Sequence, residues 1–425
     1  MRALGVDALL TRRTIGTLAV VVVALGLVAL VLNLALGHLP RTLVGSAVLP
    51  DYLAHWTGGR MLLDGRLDQL YDPEVQRSLQ TGITGGAPEV AWFVAPPLTA
   101  VLYAPLAALP YYLSCAVWTI VSIALLAASL WLLRPLLPRL GGAGYGVVVL
   151  AVLATQPVLE VVGIGQDSAL CLFLWVCGLR LLAADRDGWA GAVLALGLVK
   201  PQLFVLVPVL LVAQRPWRAL ATWSAGASLL LAASVLVVGP GPLWVWLELL
   251  PSDRYAHQVQ STQAWMMQGV PSFLAAITPA GATGAAQAIG VVIALVLLVA
   301  FAVAAWRAPR EALLPVWALA GLTTVVTSPH LLGYDLVFAL PALLSVLDRH
   351  DTARVRLSLL LIVALTWTSL VRHRVAGGLA WPWVVIAASW CTVPLLVLWG
   401  VLWRDCRSLG AADDDRATLV GQPVG

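Results

Sequence analysis

Residues 14–37 read TIGTLAVVVVALGLVALVLNLALG, an almost unbroken apolar run. A run of about 18 or more apolar residues is long enough to cross a hydrocarbon core about 30 Å thick. Arg2, Arg12 and Arg13 precede the run, as basic residues do in a secretory signal peptide. The apolar part of such a peptide spans only about 7–15 residues, and no convincing cleavage site follows here. We therefore predict a membrane helix that is retained.

The composition extends this prediction to the rest of the chain. Of its 425 residues, 60% are hydrophobic and 11% are charged, whereas soluble domains carry about 45–50% apolar and about 25% charged residues. Further apolar runs occur at 112–133, 144–160, 166–184, 216–238, 284–305, 311–327, 333–347, 354–371 and 381–403. They predict an all-α polytopic membrane protein of about eleven to thirteen membrane helices. We expect one membrane domain over residues 1–405 and a short, disordered, cytoplasmic tail at 406–425.

Two apolar stretches are too short or too interrupted for a simple crossing. Residues 96–110 are bounded by prolines, and residues 189–214 form two halves separated by Lys200-Pro201-Gln202. Consecutive prolines cannot continue a helix, so Pro96-Pro97 mark the point where the chain re-enters lipid. Residues 96–133 then fit one net crossing with a bent entry, or three crossings.

Arginine residues flank alternate apolar runs, and basic residues concentrate in loops on the cytoplasmic side. This distribution predicts a multi-pass plasma-membrane protein with both termini in the cytoplasm. It places two long loops, 38–95 and 239–283, on the extracytoplasmic side. The turns at 163–167 and 328–335 and the break at Lys200 fall on that side too. We therefore expect the active site to be extracytoplasmic.

Asp51 opens the segment DYLAHWTGGRMLLDG directly after Pro50. His55 and Trp56 follow one helical turn later, on the same face as Asp51. A carboxylate beside a histidine at a membrane surface can act as a general base toward a sugar hydroxyl. The alternative is that Asp51 only caps the N-terminus of a helix.

Further patterns in the first long loop predict helix ends. Gly65 follows Leu63-Asp64 and can end a helix. Tyr71-Asp72-Pro73 can start the next one, with an Asp cap and a proline in the first turn.

Residues 163–168 read GIGQDS and join two apolar runs. The segment is too short for a dinucleotide-binding fingerprint and lacks the strand that such a fingerprint needs. Gln166 and Asp167 can hydrogen-bond a sugar, and Asp167 can alternatively cap the next helix.

Lys200 is the only lysine of the chain. A lysine at membrane depth costs roughly 2.5–3.5 kcal/mol on insertion scales, so it usually has a partner. A phosphate group is one candidate partner, with Gln202 beside it as a second ligand. A carboxylate, such as Glu160 or Asp167, is the structural alternative.

Two more extracytoplasmic segments carry polar side chains. His330 can donate a hydrogen bond to a phosphate or a hydroxyl, in a turn with Tyr334 and with Asp335, which can orient His330 or cap the next helix. The loop 239–283 alternates aromatic and polar residues around His257, which suits an interfacial helix or one wall of an acceptor groove.

The sequence offers no signature of a cofactor, metal or nucleic-acid site. The five cysteines show no metal-binding spacing, and four of them lie within apolar runs, so we predict neither disulfides nor a zinc site. No glycine-rich phosphate loop occurs, and no carboxylate cluster demands a metal.

Taken in order, these segments resemble glycosyltransferase family 87 over about residues 45–345. The matching residues are Asp51-Tyr52, Leu63-Asp64-Gly65, Leu70-Tyr71-Asp72, Pro96-Pro97, Pro105, Gly165-Gln166, Lys200-Pro201-Gln202, Trp217-Arg218, Ser328-Pro329-His330 and Tyr334-Asp335. The resemblance implies a GT-C fold, a bundle of membrane helices whose long first outer loop bears an essential acid, here Asp51. It implies a polyprenyl-phosphate-linked sugar as co-substrate, carrying mannose or in some members arabinose. The implied acceptors are cell-envelope glycolipids or polysaccharides.

On this basis we expect an inverting hexosyltransferase, with mannose as the first candidate and an arabinofuranosyltransferase as the alternative. Asp51 would accept the acceptor proton, His55 would position it and Trp56 would pack on a sugar ring. Lys200 and His330 would stabilise the leaving phosphate. Helices broken at membrane depth also occur in transporters, so a lipid or sugar transporter or flippase is the main rival. A non-catalytic scaffold is a third hypothesis.

Overall fold

The computed structural model describes residues 11–86, 91–250, 252, 264–350 and 352–420, which form helices and contain no β-strand. The described α-helices are α1 (Arg12–Ala35), α2 (Pro50–Leu63), α3 (Pro73–Thr84), α4 (Pro97–Ala107), α5 (Tyr111–Leu133), α6 (Tyr145–Leu153), α7 (Gln156–Ile164), α8 (Ser168–Leu182), α9 (Asp187–Ala195), α10 (Pro201–Phe204), α11 (Val207–Gln214), α12 (Trp217–Val237), α13 (Pro240–Leu249), α14 (Val270–Ala276), α15 (Thr283–Arg307), α16 (Leu313–Thr327), α17 (Leu340–Arg349), α18 (Ala353–Ala376) and α19 (Thr392–Val420).

Five described helical segments are long and apolar enough to cross a membrane: Arg12–Ala35, Tyr111–Leu136, Trp217–Val237, Ala280–Arg307 and Arg354–Ala376. The helices α6 and α7 form a sixth if they are one span, with a bend of 57° between them. The all-α polytopic membrane fold is therefore confirmed. Most of the other apolar runs fold as shorter helices, and the last run, 381–403, ends within the long helix α19. The predicted eleven to thirteen crossings and the orientation of the termini stay predictions.

The stretch 96–133 folds as two helices, which excludes three full crossings. Helix α4 begins at Pro97, as the consecutive prolines predicted, and has 11 residues. At 1.5 Å per residue it is about 16 Å long, roughly half of a hydrocarbon core. Helix α5 then has 23 residues and is long enough to span.

Other predicted helix boundaries are found where the local chemistry requires them. Asp72 caps α3, and its Oδ1 accepts from the backbone N–H groups of Glu74 and Val75 at 2.8 and 3.3 Å. The predicted break at Lys200 separates a 3₁₀ turn, Leu196–Val199, from α10. Helix α19 continues to Val420, through most of the segment predicted to be a disordered tail. An established helix extends at little cost, because each added residue brings its own hydrogen bond.

The described residues divide into two compact units. The first unit holds those of Met1–Trp131, Leu140–Phe173 and Ala227–Val259, and the second unit holds those of Leu132–Arg139, Leu174–Gly226 and Gln260–Gly425. The prediction of one membrane domain concerns both units and stays a prediction.

The core of the first unit is an aromatic cluster between α2, α4 and α5. The ring of Tyr52 stacks on Trp118 with centroids 5.7 Å apart, and Tyr103 meets Trp118 edge-on at 5.0 Å. Such pairs contribute about 0.5–1.5 kcal/mol beyond burial of their area. Gly59 lets α2 approach α4, since a Cβ at this position would lie 2.8 Å from the carbonyl carbon of Tyr103.

Two buried glutamines of α3 hold the extended segment that precedes α4. The amide group of Gln76 accepts from the N–H of Phe93 at 2.9 Å and donates to its carbonyl at 3.3 Å. Gln80 makes the same paired contacts with Ala91, at 3.0 and 2.7 Å. These bonds satisfy backbone groups that would otherwise be buried without partners. They also place the Phe93 ring edge-on to His55, at 6.4 Å.

The core of the second unit surrounds α16, which is buried over most of its length. The ring of Trp175 lies 4.9 Å from Trp317 and 4.8 Å from Phe338, measured between centroids. Phe338 belongs to a 3₁₀ segment, Gly333–Ala339, that precedes α17. The aromatic contacts fix this segment, which carries Tyr334 and Asp335.

Candidate active site

Asp51 lies in the first turn of α2 and is not its N-cap. The N-cap is Leu49, which adopts a left-handed conformation with φ 47° and makes no side-chain cap, and Pro50 follows it. A carboxylate in the first turn interacts favourably with the positive end of the helix dipole. The side chain is therefore available for contacts other than capping. Asp51 is half-buried.

The Asp51 carboxylate is held by the turn between α7 and α8. The Nε2 atom of Gln166 donates to Asp51 Oδ2 at 2.6 Å. A bond from an amide N–H to a charged oxygen belongs to the stronger class of protein hydrogen bonds. Gln166 is also half-buried. Sequence analysis assigned Gln166 to a sugar, and the structure brings it to the predicted base.

His55 and Asp167 form a second, more buried pair in the same unit. His55 Nε2 lies 3.7 Å from Asp167 Oδ2, and the residues are only 9% and 3% exposed. This separation exceeds a normal hydrogen bond, so the contact is electrostatic and depends on protonation of the ring. The imidazole also stacks on Tyr103, with centroids 4.5 Å apart and planes at 10°. The structure thus pairs His55 with Asp167.

Exposure distinguishes the two carboxylates. Asp51 is half-buried, whereas Asp167 is almost fully enclosed by protein. A general base must come within about 2.6–3.2 Å of the proton that it takes. Asp51 meets this requirement better for an incoming hydroxyl, whereas Asp167 faces His55 inside the protein.

Trp56 is part of the aromatic core. It is 8% exposed, its Nε1 donates to the carbonyl of Leu109 at 3.4 Å, and its ring meets Tyr111 edge-on at 5.7 Å. The structure therefore gives Trp56 a packing role. Its predicted stacking on a sugar stays a prediction.

In the second unit, Lys200 has a carboxylate partner, Asp335. The Nζ atom donates to Asp335 Oδ1 at 2.8 Å, and Lys200 and Asp335 are 8% and 2% exposed. Nζ also lies 5.3 Å from the ring centroid of Tyr334, within the range of a cation–π contact. Sequence analysis also considered Glu160 and Asp167 as partners; within the first unit, Glu160 accepts from Gln156 at 2.6 Å and Asp167 faces His55.

His330 is half-buried in the turn between α16 and the 3₁₀ segment. Its backbone N–H donates to Ser328 Oγ at 3.2 Å, and Ser272 Oγ donates to the carbonyl of Pro329 at 2.9 Å. Burial lowers the pKa of His330 below its ordinary value of 6.5. The ring is therefore neutral at pH 7, with one N–H donor and one acceptor nitrogen.

The variant His330→Gln is expected to be less sensitive to acid than the wild type. Because the pKa of His330 is lower in the folded chain, the unfolded chain binds more protons below about pH 6.5. The wild type then loses stability as the pH falls, until the pH passes the folded-state pKa. Thermal midpoints in detergent at about pH 7.5 and about pH 5.5 check this. A drop as large in the variant as in the wild type would contradict it, and His38→Gln, at an exposed histidine, is the control.

Two further residues were predicted to bind substrate, Gln202 and His257. Gln202 is exposed on α10. His257 lies outside the described residues. Within the described part of the chain, no three His, Cys, Asp or Glu side chains gather as a metal site would require.

Tyr103 lies beside His55, although the sequence pattern does not indicate it as a site residue. Its hydroxyl is fully buried and has no hydrogen-bond partner among the described residues. It sits in the apolar stretch LTAVLYAPLAALP, where a tyrosine resembles any other core aromatic residue. Its stacking on His55 in the structure is what places it next to the candidate site.

One comparison with known proteins gives a match. The sequence model of glycosyltransferase family 87 matches residues 93–329, more than half of the chain. This range includes Gln166, Asp167 and Lys200, while Asp51 precedes it and His330 follows it by one residue. No curated protein and no solved structure matches.

Proposed function

Because the chain belongs to glycosyltransferase family 87, we propose that it transfers a hexose, mannose in the first instance, from a polyprenyl-phosphate-linked donor to a cell-envelope glycolipid or polysaccharide. The proposal includes inversion at the anomeric carbon and an active site on the extracytoplasmic face. The observation that carries it is the half-buried Asp51 carboxylate, held by Gln166 at the start of α2.

The chemistry assigned to Asp51 is general-base catalysis. As the acceptor oxygen attacks the anomeric carbon, Asp51 takes its proton and the bond from the anomeric carbon to the phosphate oxygen breaks on the opposite face. Positioned general bases contribute about 10²–10⁴-fold to such rates. A phosphate leaves as an anion and needs little protonation, so the base is the side chain that this step demands.

Recognition of the donor phosphate is proposed for the cluster of Lys200, Tyr334 and Asp335. An ammonium group has three N–H donors and can serve several acceptors, of which Asp335 is one. A buried ammonium that is paired with a carboxylate avoids the cost of an isolated ion. It attracts a phosphate on the side turned away from Asp335, where the N–H donors are closer to the phosphate than the carboxylate is. The neutral ring of His330 can add a further N–H donor.

Donor class is tested by giving membranes that contain the protein a panel of radiolabelled polyprenyl-phosphate sugars. Mannose is expected to enter a lipid-soluble or polymeric product, without any imposed ion gradient. Membranes with Asp51→Asn are the negative control. Incorporation of arabinose alone would favour the arabinofuranosyltransferase. Label that crosses the bilayer without forming a new glycosidic bond would favour a transporter or flippase.

A further inference from the structure

We infer that the turn 165–167 is the element that positions the base, with Gln166 as the positioning residue for Asp51. This inference rests on the proposed function, since it assumes that Asp51 removes the acceptor proton. It gives the turn a role other than sugar binding or helix capping.

The contact between Gln166 and Asp51 restricts the carboxylate. Nε2 of Gln166 holds Oδ2 of Asp51 at 2.6 Å. A hydrogen bond of this length opposes rotation about the Cβ–Cγ bond of Asp51, so the carboxylate plane keeps one orientation. An amide donor also favours the charged carboxylate over the protonated form. Both effects keep a base ready for a hydroxyl.

The turn is itself fixed against α2. Gly165 has φ +79°, and a Cβ at this position would lie 2.6 Å from Cβ of Tyr52, the residue next to the base. Only glycine tolerates both this conformation and this approach. From α5, Nε1 of Trp118 donates to the carbonyl of Gly165 at 2.9 Å. The distance from Gln166 to Asp51 is therefore set by backbone packing.

A second contact joins the same turn to the same face of α2. Asp167, the residue after Gln166, faces His55 at 3.7 Å, one turn along the helix from Asp51. Tyr103 stacks on the face of that imidazole. Two neighbouring turn residues thus contact positions 51 and 55 of one helix. This arrangement resists rotation of the face that carries the base.

The test compares Gln166→Leu, Gln166→Glu and the wild type in steady-state transfer assays over a range of pH. Gln166→Leu is expected to lower kcat by about 10- to 100-fold, since small misplacements of reacting groups have such effects. Donor and acceptor KM should stay within about twofold, because the lost contact is not made to substrate. The acid limb of the pH profile, where kcat falls as the base becomes protonated, should move to higher pH because the carboxylate has lost a hydrogen-bond donor. Gln166→Glu should move it further, because a second carboxylate beside Asp51 competes for the same proton.

Gln69→Leu, at an exposed glutamine in the 3₁₀ turn Leu67–Gln69, is the matched control and should behave as wild type. Gel-filtration profiles and thermal midpoints in detergent identify variants that fail to fold. If Gln166→Leu is unfolded, Gln166→Glu replaces it, because this substitution keeps the size and polarity of the side chain.

A higher KM for donor or acceptor, with the acid limb of kcat at the wild-type pH, would overturn the inference and assign Gln166 to substrate binding. Asp51→Asn, assayed in parallel, distinguishes a failure of the proposed base from a failure of the positioning role of Gln166. If Asp51→Asn is inactive while kcat and the acid limb of Gln166→Leu are unchanged, only the positioning role fails. If Asp51→Asn transfers sugar as the wild type does, the assignment of the base fails.

Discussion

Replacing Asp51 with asparagine is expected to lower kcat for sugar transfer by a factor of at least about 10². Asparagine has the same shape as aspartate, and its Oδ1 can still accept the hydrogen bond from Gln166. The packing of α2 is therefore kept, while the neutral amide cannot take a proton. Initial rates with a labelled lipid-phosphate donor, corrected for the amount of folded protein, measure the effect.

The matched control is Asp68→Asn. Asp68 is exposed in the 3₁₀ turn Leu67–Gln69, in the same long segment of the first unit. Asp68→Asn removes one negative charge, as Asp51→Asn does, but at a position outside the candidate site. The transfer rate of this variant should therefore equal that of the wild type. Equal losses in both variants would point to a general effect of charge, and the role of Asp51 as a base would be lost.

Replacing Lys200 with methionine is expected to destabilise the protein by about 3–5 kcal/mol, because Asp335 would remain buried without its cation. Asp335 is 2% exposed and lies 2.8 Å from Nζ. The variant should therefore show a lower thermal midpoint and a lower yield of monodisperse protein. Loss of activity in this variant alone would not identify a phosphate site, since misfolding would produce the same result.

The double variant Lys200→Met/Asp335→Leu separates folding from donor recognition. Replacing both members of a buried ion pair with apolar residues is often neutral or stabilising, so the fold should recover. The site would still lack the cation, and the apparent KM for the donor should rise by about tenfold or more, since hydrogen bonds to charged groups contribute about 1.5–3 kcal/mol. Wild-type donor use by the folded double variant would show that the pair is purely structural.

The features that sequence predicted well depend on local chemistry. The run 14–37 predicted α1 because only a helix satisfies its own backbone in lipid. Pro97, Asp72 and the break at Lys200 predicted helix boundaries, since a proline lacks an N–H and an Asp side chain caps a helix start. The prediction of one membrane helix over 333–347 was less accurate, because Gly333–Ala339 forms a 3₁₀ segment and α17 begins only at Leu340.

The partners within the candidate site could not be predicted in the same way. Asp51 and Gln166 are 115 positions apart, and Lys200 and Asp335 are 135 apart. Charge alone left several carboxylates open for Lys200, and the choice between them depends on tertiary packing. His55 was expected to position Asp51 because both lie on one helix face. The structure shows a contact of Gln166 with Asp51 and one of Asp167 with His55, and the expected action of His55 on Asp51 stays a prediction. The expected gathering of Asp51, Lys200 and His330 at one membrane surface stays a prediction.

The anomeric configuration of the product shows whether the acceptor hydroxyl attacks the anomeric carbon directly, as the role of Asp51 as a general base requires. Purified protein is given a single anomer of polyprenyl-phosphate mannose and an acceptor lipid extract, and the new glycosidic bond is assigned by NMR. The wild type should form a product of inverted configuration, and Asp51→Asn should form at least about 10²-fold less of it in the same time. A product of retained configuration, or equal amounts from both proteins, would contradict it.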